Sequence, residues 1–439
     1  MEKRSAELEK HQIAGAAPDR ARELVFLAGA LVLTGFLRLM AVRLRGTYVE
    51  FDESMYITLG KNLLTGRGYF LNGLPNATFP FGISIIAGIG YVLTGSARWA
   101  LNLPTVLFGT LAVVPVYVLM RDVWNRSAAA VAVIFYAGFP ALLVLVPFRR
   151  YGEVPYAGSE AIFAFFILCA ACLFHRVMTM PNASAGLAAG FFSGLAFEVR
   201  QDAAGYFAFF VVFAYATCAL AERKLFSRRA AAAGACALVV FALLAAPFFL
   251  WVRHVTGRFY SGPRFAQTYN MRSSLDRMVE TGDWGPALKD YFKPNPDLSQ
   301  LESPYYGVAA HHRAKIASGS DDVPVARLLR EMRAGNLPIA WRAFWRELMP
   351  RYLWVFALIG LASVLAGRRW KFLAIAAALV LPSVWVTLVL YVLPRFYIIA
   401  ALAVLLIAAS GADLMWRGFL WLISSGETSP RVAAAAYLT

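Results

Sequence analysis

Charge is scarce in this sequence. Only 15% of the 439 residues are Asp, Glu, Lys or Arg, against 59% hydrophobic, a balance that excludes an ordinary soluble globular domain. Cysteine is scarcer still: Cys169, Cys172, Cys218 and Cys236 all fall inside apolar runs, which excludes a disulfide framework and leaves each as a small buried hydrophobe. Cys169 and Cys172 have the C-x-x-C spacing, but within an apolar run the pair is read as structural, not as a metal or redox site. Neither a P-loop nor a G-x-G-x-x-G fingerprint occurs, so no nucleotide-binding fold is indicated. No cleavage-site pattern follows the first apolar run, Leu24 to Val42, which is read as an uncleaved span.

Long apolar runs are abundant. Stretches able to cross roughly 30 Å of hydrocarbon lie at 24–42, 99–120, 128–148, 157–173, 183–199, 203–221, 230–252, 352–366, 372–394 and 396–412. The expected fold is therefore an all-α polytopic membrane protein with about ten transmembrane helices. Pro80 to Gly95 is apolar but short and carries four glycines, so it is expected to lie at the interface. Lys3, Arg4, Lys10, Arg20 and Arg22 precede the first span and favour a cytoplasmic N-terminus. With 80–95 not crossing, Arg121 and Arg126, Arg223 to Arg229, and Arg368 to Lys371 all fall on the cytoplasmic side. Arg43, Arg45, Lys61, Arg67 and Arg98 are then external, against the trend.

This topology divides the chain into a cytoplasmic segment (1–23), an N-terminal membrane module (24–252) with an external catalytic loop (43–98), an external cap (253–351), C-terminal membrane helices (352–415) and a tail (416–439). The net charge of +16 sits largely in loops between apolar spans, as suits anionic headgroups and phosphate-bearing substrates and not nucleic acid.

The first external loop opens with Asp52 and Glu53 just beyond the first span, followed by Tyr56. A carboxylate at the water boundary of a membrane helix can act as a general base on an acceptor hydroxyl; on its own, such a pair is also an ordinary solvated loop feature. A glycine-rich turn follows, with Lys61 and Arg67 available to phosphate or to water, and Asn76-Ala-Thr78 matches a glycosylation sequon that chance explains better. Glu198, Arg200 and Asp202 cluster at the end of a span, either as an internal ion pair or as a substrate contact. In the long loop, His311 and His312 read as surface residues. Arg258, Tyr260, Arg264, Tyr269 and Arg272 mix cations with aromatics, as a sugar-phosphate site or a solvated loop would.

The order of an apolar helix, Asp52-Glu53 and Tyr56, a Gly-rich turn, Phe79-Pro80-Phe81-Gly82 and Arg98-Trp99 to Pro104 resembles the GT-C superfamily of polyprenyl-phosphate-sugar-dependent glycosyltransferases. Tyr156 to Glu160, Gly194 to Arg200 and Pro394-Arg395-Phe396-Tyr397 extend the likeness across roughly residues 20 to 415, nearest to the protein O-mannosyltransferase and aminoarabinose transferase branches. The resemblance implies that Asp52, or Glu53 in its stead, is the catalytic base. It implies that Arg395 and Arg98 meet the carrier phosphate, which guanidinium binds bidentately. The oligosaccharyltransferase branch has an acidic metal-binding motif in the second external loop, whereas this loop offers Glu153 and Glu160 beside Arg149 and Arg150, a poor divalent site. No metal or other cofactor is expected to be required, and Glu153 or Glu160 is expected to orient Asp52 or a substrate hydroxyl.

The implied function is inverting transfer of a sugar from a polyprenyl-phosphate carrier, the donor substrate, to an acceptor hydroxyl on a lipid, polysaccharide or protein. The implied setting is the periplasmic face of a bacterial inner membrane. A transporter or lipid flippase shares the hydropathy and charge, but would place ionisable residues near the midplane and show internal repeats.

Overall fold

The computed structural model describes residues 2–44, 51–71, 74–77, 79–139, 159–223, 227–256, 348–389 and 397–424, with Trp341 and Trp345. Side chains are described from residue 21 onward, and those of Phe51 and Asp52 lie outside the described set. Among the described residues the elements are α1 (Glu2–Leu44), α2 (Phe51–Leu64), a two-stranded hairpin β1 (Phe70–Leu71) and β2 (Leu74–Pro75), α3 (Phe81–Thr94), α4 (Ala97–Leu111), α5 (Val113–Val123), α6 (Arg126–Ala137), α7 (Glu160–Thr179), α8 (Ala183–Val199), α9 (Ala203–Glu222), α10 (Arg228–Thr256), α11 (Arg351–Ala366), α12 (Trp370–Val389) and α13 (Ile398–Ser424).

Each of the ten expected runs overlaps helix within its described part. Among the described residues six segments, beginning at Ala21, Ala97, Glu160, Ala203, Arg228 and Ile398, are long and apolar enough to cross a membrane, and five shorter apolar helices accompany them. The chain is a multi-pass membrane protein. Its outer surface fits lipid: Val32, Leu243 and Ile423 are 74%, 67% and 65% exposed, an arrangement water would penalise. The run expected over 99–120 divides at Ala112 into α4 and α5. α13 continues twelve residues past the expected end at 412, because the apolar pattern persists and Arg417 pairs with Asp413 one turn earlier at 3.2 Å, a spacing that supports a helix. α3 has 14 residues, about 21 Å of helix, shorter than the hydrocarbon core.

Local sequence explains the boundaries. Asn125 and Asn182 cap α6 and α8, their side-chain oxygens accepting from the backbone N–H groups of Ala128 and Ala185 at 2.8 Å, a strong helix start. α3 stops at Gly95, whose φ of 64° is the left-handed conformation that favours glycine. Packing follows small residues, as expected where lipid tails give no hydrophobic drive between helices. Gly186 and Gly190 let α8 lie against α10, since a Cβ at either would collide with Ala233 O or Ala237 O.

One hydrophobic core runs through the bundle from Tyr56 to Ala409. A smaller cluster of Met55, Leu59, Tyr69 and Leu71, covered by Phe79, Phe81 and Trp251, sits beside it. Two charges buried in the bundle escaped the sequence reading. Arg38 of α1, 2% exposed, donates to Tyr136 Oη at 3.1 Å, which donates to Gly109 O at 2.8 Å. Asp413 of α13, fully buried, accepts from Asn125 Nδ2 at 3.1 Å and from Arg417. Both tie helices together.

Candidate functional site

The corner between α8 and α9 brings Arg200 into the protein. As the C-cap residue of α8 it takes an extended backbone (φ −150°, ψ 129°), its N–H still bonded to Ala196 O at 2.8 Å. That turn points the side chain at α7. The guanidinium reaches Glu160 Oε1 at 2.8 Å and Asp202 Oδ2 at 3.1 Å, with Ser159 Oγ at 3.4 Å. Its carbon lies 5.6 Å from the centre of the Phe163 ring, within cation–π range. Arg200 is 8% exposed, and the side chains of Glu160 and Asp202 are 14% and 22% exposed. Burial pulls the Arg200 pKa down, but Asp202 and Glu160 more than reverse this and hold it above its ordinary value. The triad carries a net charge of −1 from one cation and two carboxylates.

These residues line a cavity of about 10 Å³, room for about one water, with Phe163, Tyr206, Ile398 and Ile399 completing the wall. Tyr206 Oη is 3.3 Å from Ser383 Oγ of α12. The cavity therefore gathers α7, the α8–α9 corner, α12 and the start of α13. Tyr56 of α2 is among the groups that hold the Arg200 pKa up, but no described residue of α2 lines the cavity. Tyr56 and Glu53 are buried at 6% and 3%. Position 52 lies one turn before Tyr56 on the same face of α2, by helix periodicity.

Of the residues singled out from sequence, Glu160 and Arg200 line the cavity, whereas Tyr56 packs edge-on against Phe79. Arg98 and Lys61 do not line the cavity. Arg98, in the first turn of α4, donates to Val42 O at the end of α1 at 3.3 Å, and Lys61 Nζ lies 5.4 Å from the Tyr91 ring. The expected cluster of Glu198, Arg200 and Asp202 divides: Arg200 and Asp202 form an ion pair, while Glu198 turns to α3, accepting from Gly82 N at 3.0 Å. Glu153, Arg258, Arg395, His311 and His312 lie outside the described residues. Asn76 of the sequon is 1% exposed, and its carbonyl accepts from Trp251 Nε1 at 2.7 Å, so its amide is inaccessible to glycosylation in the folded protein. Among the described residues no three His, Cys, Asp or Glu side chains group as metal ligands.

The sequence model of the dolichyl-phosphate-mannose-protein mannosyltransferase family matches residues 79–251, the segment from α3 to α10 that holds the Arg200 corner. A search of curated protein sequences finds no match. Among solved structures, the apo oligosaccharyltransferase of Archaeoglobus fulgidus superposes with a TM-score of 0.53 at 15% identity, covering 94% of this chain and 54% of its own. AglB, the oligosaccharyltransferase of the same organism in complex with an inhibitory peptide and a dolichol-phosphate, gives 0.52 at 14% identity, with 95% and 54% covered. ArnT from Cupriavidus metallidurans bound to undecaprenyl phosphate gives 0.49 at 17% identity, with 94% and 61% covered. The chain thus spans about half the length of the oligosaccharyltransferases it matches. The fold is shared with these structures along nearly the whole chain, and the family model matches the segment from α3 to α10.

Proposed function

We propose that the chain is a membrane glycosyltransferase that takes a sugar from a polyprenyl-phosphate carrier on the non-cytoplasmic face, the periplasmic side of a bacterial inner membrane, and passes it to an acceptor hydroxyl with inversion. The observation that supports this reading is the buried Glu160–Arg200–Asp202 cavity in a helical bundle whose fold is shared with solved oligosaccharyltransferases, with the acidic pair Asp52-Glu53 opening α2. The solved complex of AglB with a dolichol-phosphate supports a lipid-phosphate carrier as the donor class.

In this reading Asp52 accepts the proton of the acceptor hydroxyl as its oxygen attacks the anomeric carbon, and the bond to the carrier phosphate breaks. A positioned general base contributes typically about 10² to 10⁴ in rate. The departing phosphate needs a preformed cation. Arg200 is poorly suited, because two carboxylates already neutralise it; its work is to hold Glu160 at the cavity, where Glu160 orients a hydroxyl. The phosphate role falls to Arg395, which precedes Ile398 of the cavity wall by three residues in sequence. Arg98, in the first turn of α4, is the second guanidinium available to the phosphate. Glu53 is the second carboxylate available as base, and the chemistry requires no metal.

The test is transfer of radiolabelled sugar from a panel of polyprenyl-phosphate donors by purified protein in liposomes. Transfer from one donor class supports the proposal. Absence of transfer from every donor, with lipid moved across the bilayer, overturns it in favour of a flippase.

A further inference from the structure

Glu198 stands two residues before Arg200, yet its carboxylate leaves that cluster. The Gly82 N–H donates to Oε2 at 3.0 Å. α3 has no cap of its own: Pro80 occupies the N-cap position without a side-chain bond, and the first turn holds no acidic residue. A carboxylate from α8 therefore does from outside what an Asp or Ser cap does from within, satisfying an orphan N–H group and opposing the positive end of the helix dipole. The approach is close enough to require glycine. A Cβ at Gly82 would lie 2.6 Å from Glu198 Cβ and 2.9 Å from its carbonyl oxygen.

α3 passes this constraint to α2. Tyr69 Oη lies 2.8 Å from Pro80 O and 2.9 Å from Ser84 Oγ, so it holds the same turn from the other side. A Cβ at Gly60 of α2 would collide with Ser84 O, and Gly60 and Gly88 pack backbone to backbone. Tyr56 meets Phe79 edge-on at 5.0 Å. Close contacts thus run from Glu198 through the start of α3 to the first turns of α2, where position 52 lies. In the other direction Glu198 is joined by two residues of backbone to Arg200.

We propose that Glu198 is a positioning residue that, by capping α3 from α8, fixes the separation between the first turn of α2 and the Glu160–Arg200–Asp202 cavity. The inference rests on the glycosyl-transfer reading for its kinetic consequence but not for its structural one. Misplacement by about 1 Å can lower turnover about 100-fold, so Glu198→Ala is expected to reduce kcat by about 10- to 100-fold with donor KM changed by less than about 3-fold. Glu198→Gln keeps an oxygen that can accept from the Gly82 N–H and is expected to retain turnover within about 5-fold of wild type.

Transfer kinetics and hydrogen–deuterium exchange of the 79–84 segment, measured on the same membrane-embedded variants, test this. Faster exchange and lost kcat in Glu198→Ala, both rescued in Glu198→Gln, support the proposal. Wild-type kcat in Glu198→Ala, or Glu198→Gln as impaired as Glu198→Ala, overturns it. If Glu198→Ala does not fold, Gly82→Ala carries the test with the carboxylate intact; loss of kcat supports the assignment and unchanged kcat overturns it. If the wild type transfers nothing, the glycosyltransferase reading falls, and exchange alone decides the capping role: unchanged protection in Glu198→Ala overturns it.

Discussion

Replacing Arg200 with Met keeps an unbranched apolar stem and removes the guanidinium, with its charge and its hydrogen-bond donors. Glu160 and Asp202 would then face each other across the cavity, each mostly buried, with side-chain exposures of 14% and 22%. Removing one partner of a buried ion pair costs about 3–5 kcal/mol, because the other charge stays desolvated. The low end applies here, since both carboxylates keep some contact with solvent. In a chain of this size roughly 1–2 °C accompanies each kcal/mol, so apparent unfolding should fall on the order of 3–6 °C. Tryptophan fluorescence in lipid nanodiscs at one fixed scan rate would read this, because unfolding of a membrane protein is commonly irreversible and rate-dependent. The combined variant Arg200→Met, Glu160→Gln, Asp202→Asn has no orphaned charge and should recover at least half of the loss while remaining inactive. Unfolding of Arg200→Met at the wild-type temperature, or a combined variant no more stable than the single one, would refute the ion-pair reasoning.

Two further outcomes follow from the packing. Gly60→Ala drives a methyl group into Ser84 O and leaves it 2.7 Å from Gly88 N. A destabilisation of about 1–3 kcal/mol is expected from overpacking, with single-turnover transfer slowed because α2 is displaced. Asn125→Ala removes both the α6 cap and the bond to Asp413, so stability should drop by about 2–4 kcal/mol. Transfer per folded molecule should stay unchanged, since Asn125 lies at the end of the bundle opposite the Arg200 cavity; a slowed rate would contradict that placement.

Hydropathy carried the helices because a span of the bilayer leaves a long apolar run that no turn signal interrupts. It did not mark where a run divides or how far one continues: Ala112 separates α4 from α5 inside an unbroken apolar run, where Pro115 has no N–H to give Leu111 O, and α13 runs through Arg417 because Asp413 neutralises it. The Glu160–Arg200 pair joins residues 40 apart in sequence, and motif spacing cannot say which carboxylate a cation will choose. Glu198 illustrates the same limit. Proximity in sequence grouped it with Arg200, whereas helix periodicity and the uncapped start of α3 send it the other way. Asp52, by contrast, was legible as a candidate from chemistry alone, a carboxylate just beyond the first apolar run.

The base assignment is tested most directly by Asp52→Asn, which is nearly isosteric and cannot accept the hydroxyl proton. Donor binding and sugar transfer should be measured on the same liposome preparation. Binding within about 3-fold of wild type with kcat reduced by about 10² to 10⁴ is the expected result. Turnover equal to wild type would remove Asp52 from the chemistry and pass the role to Glu53 or Glu160.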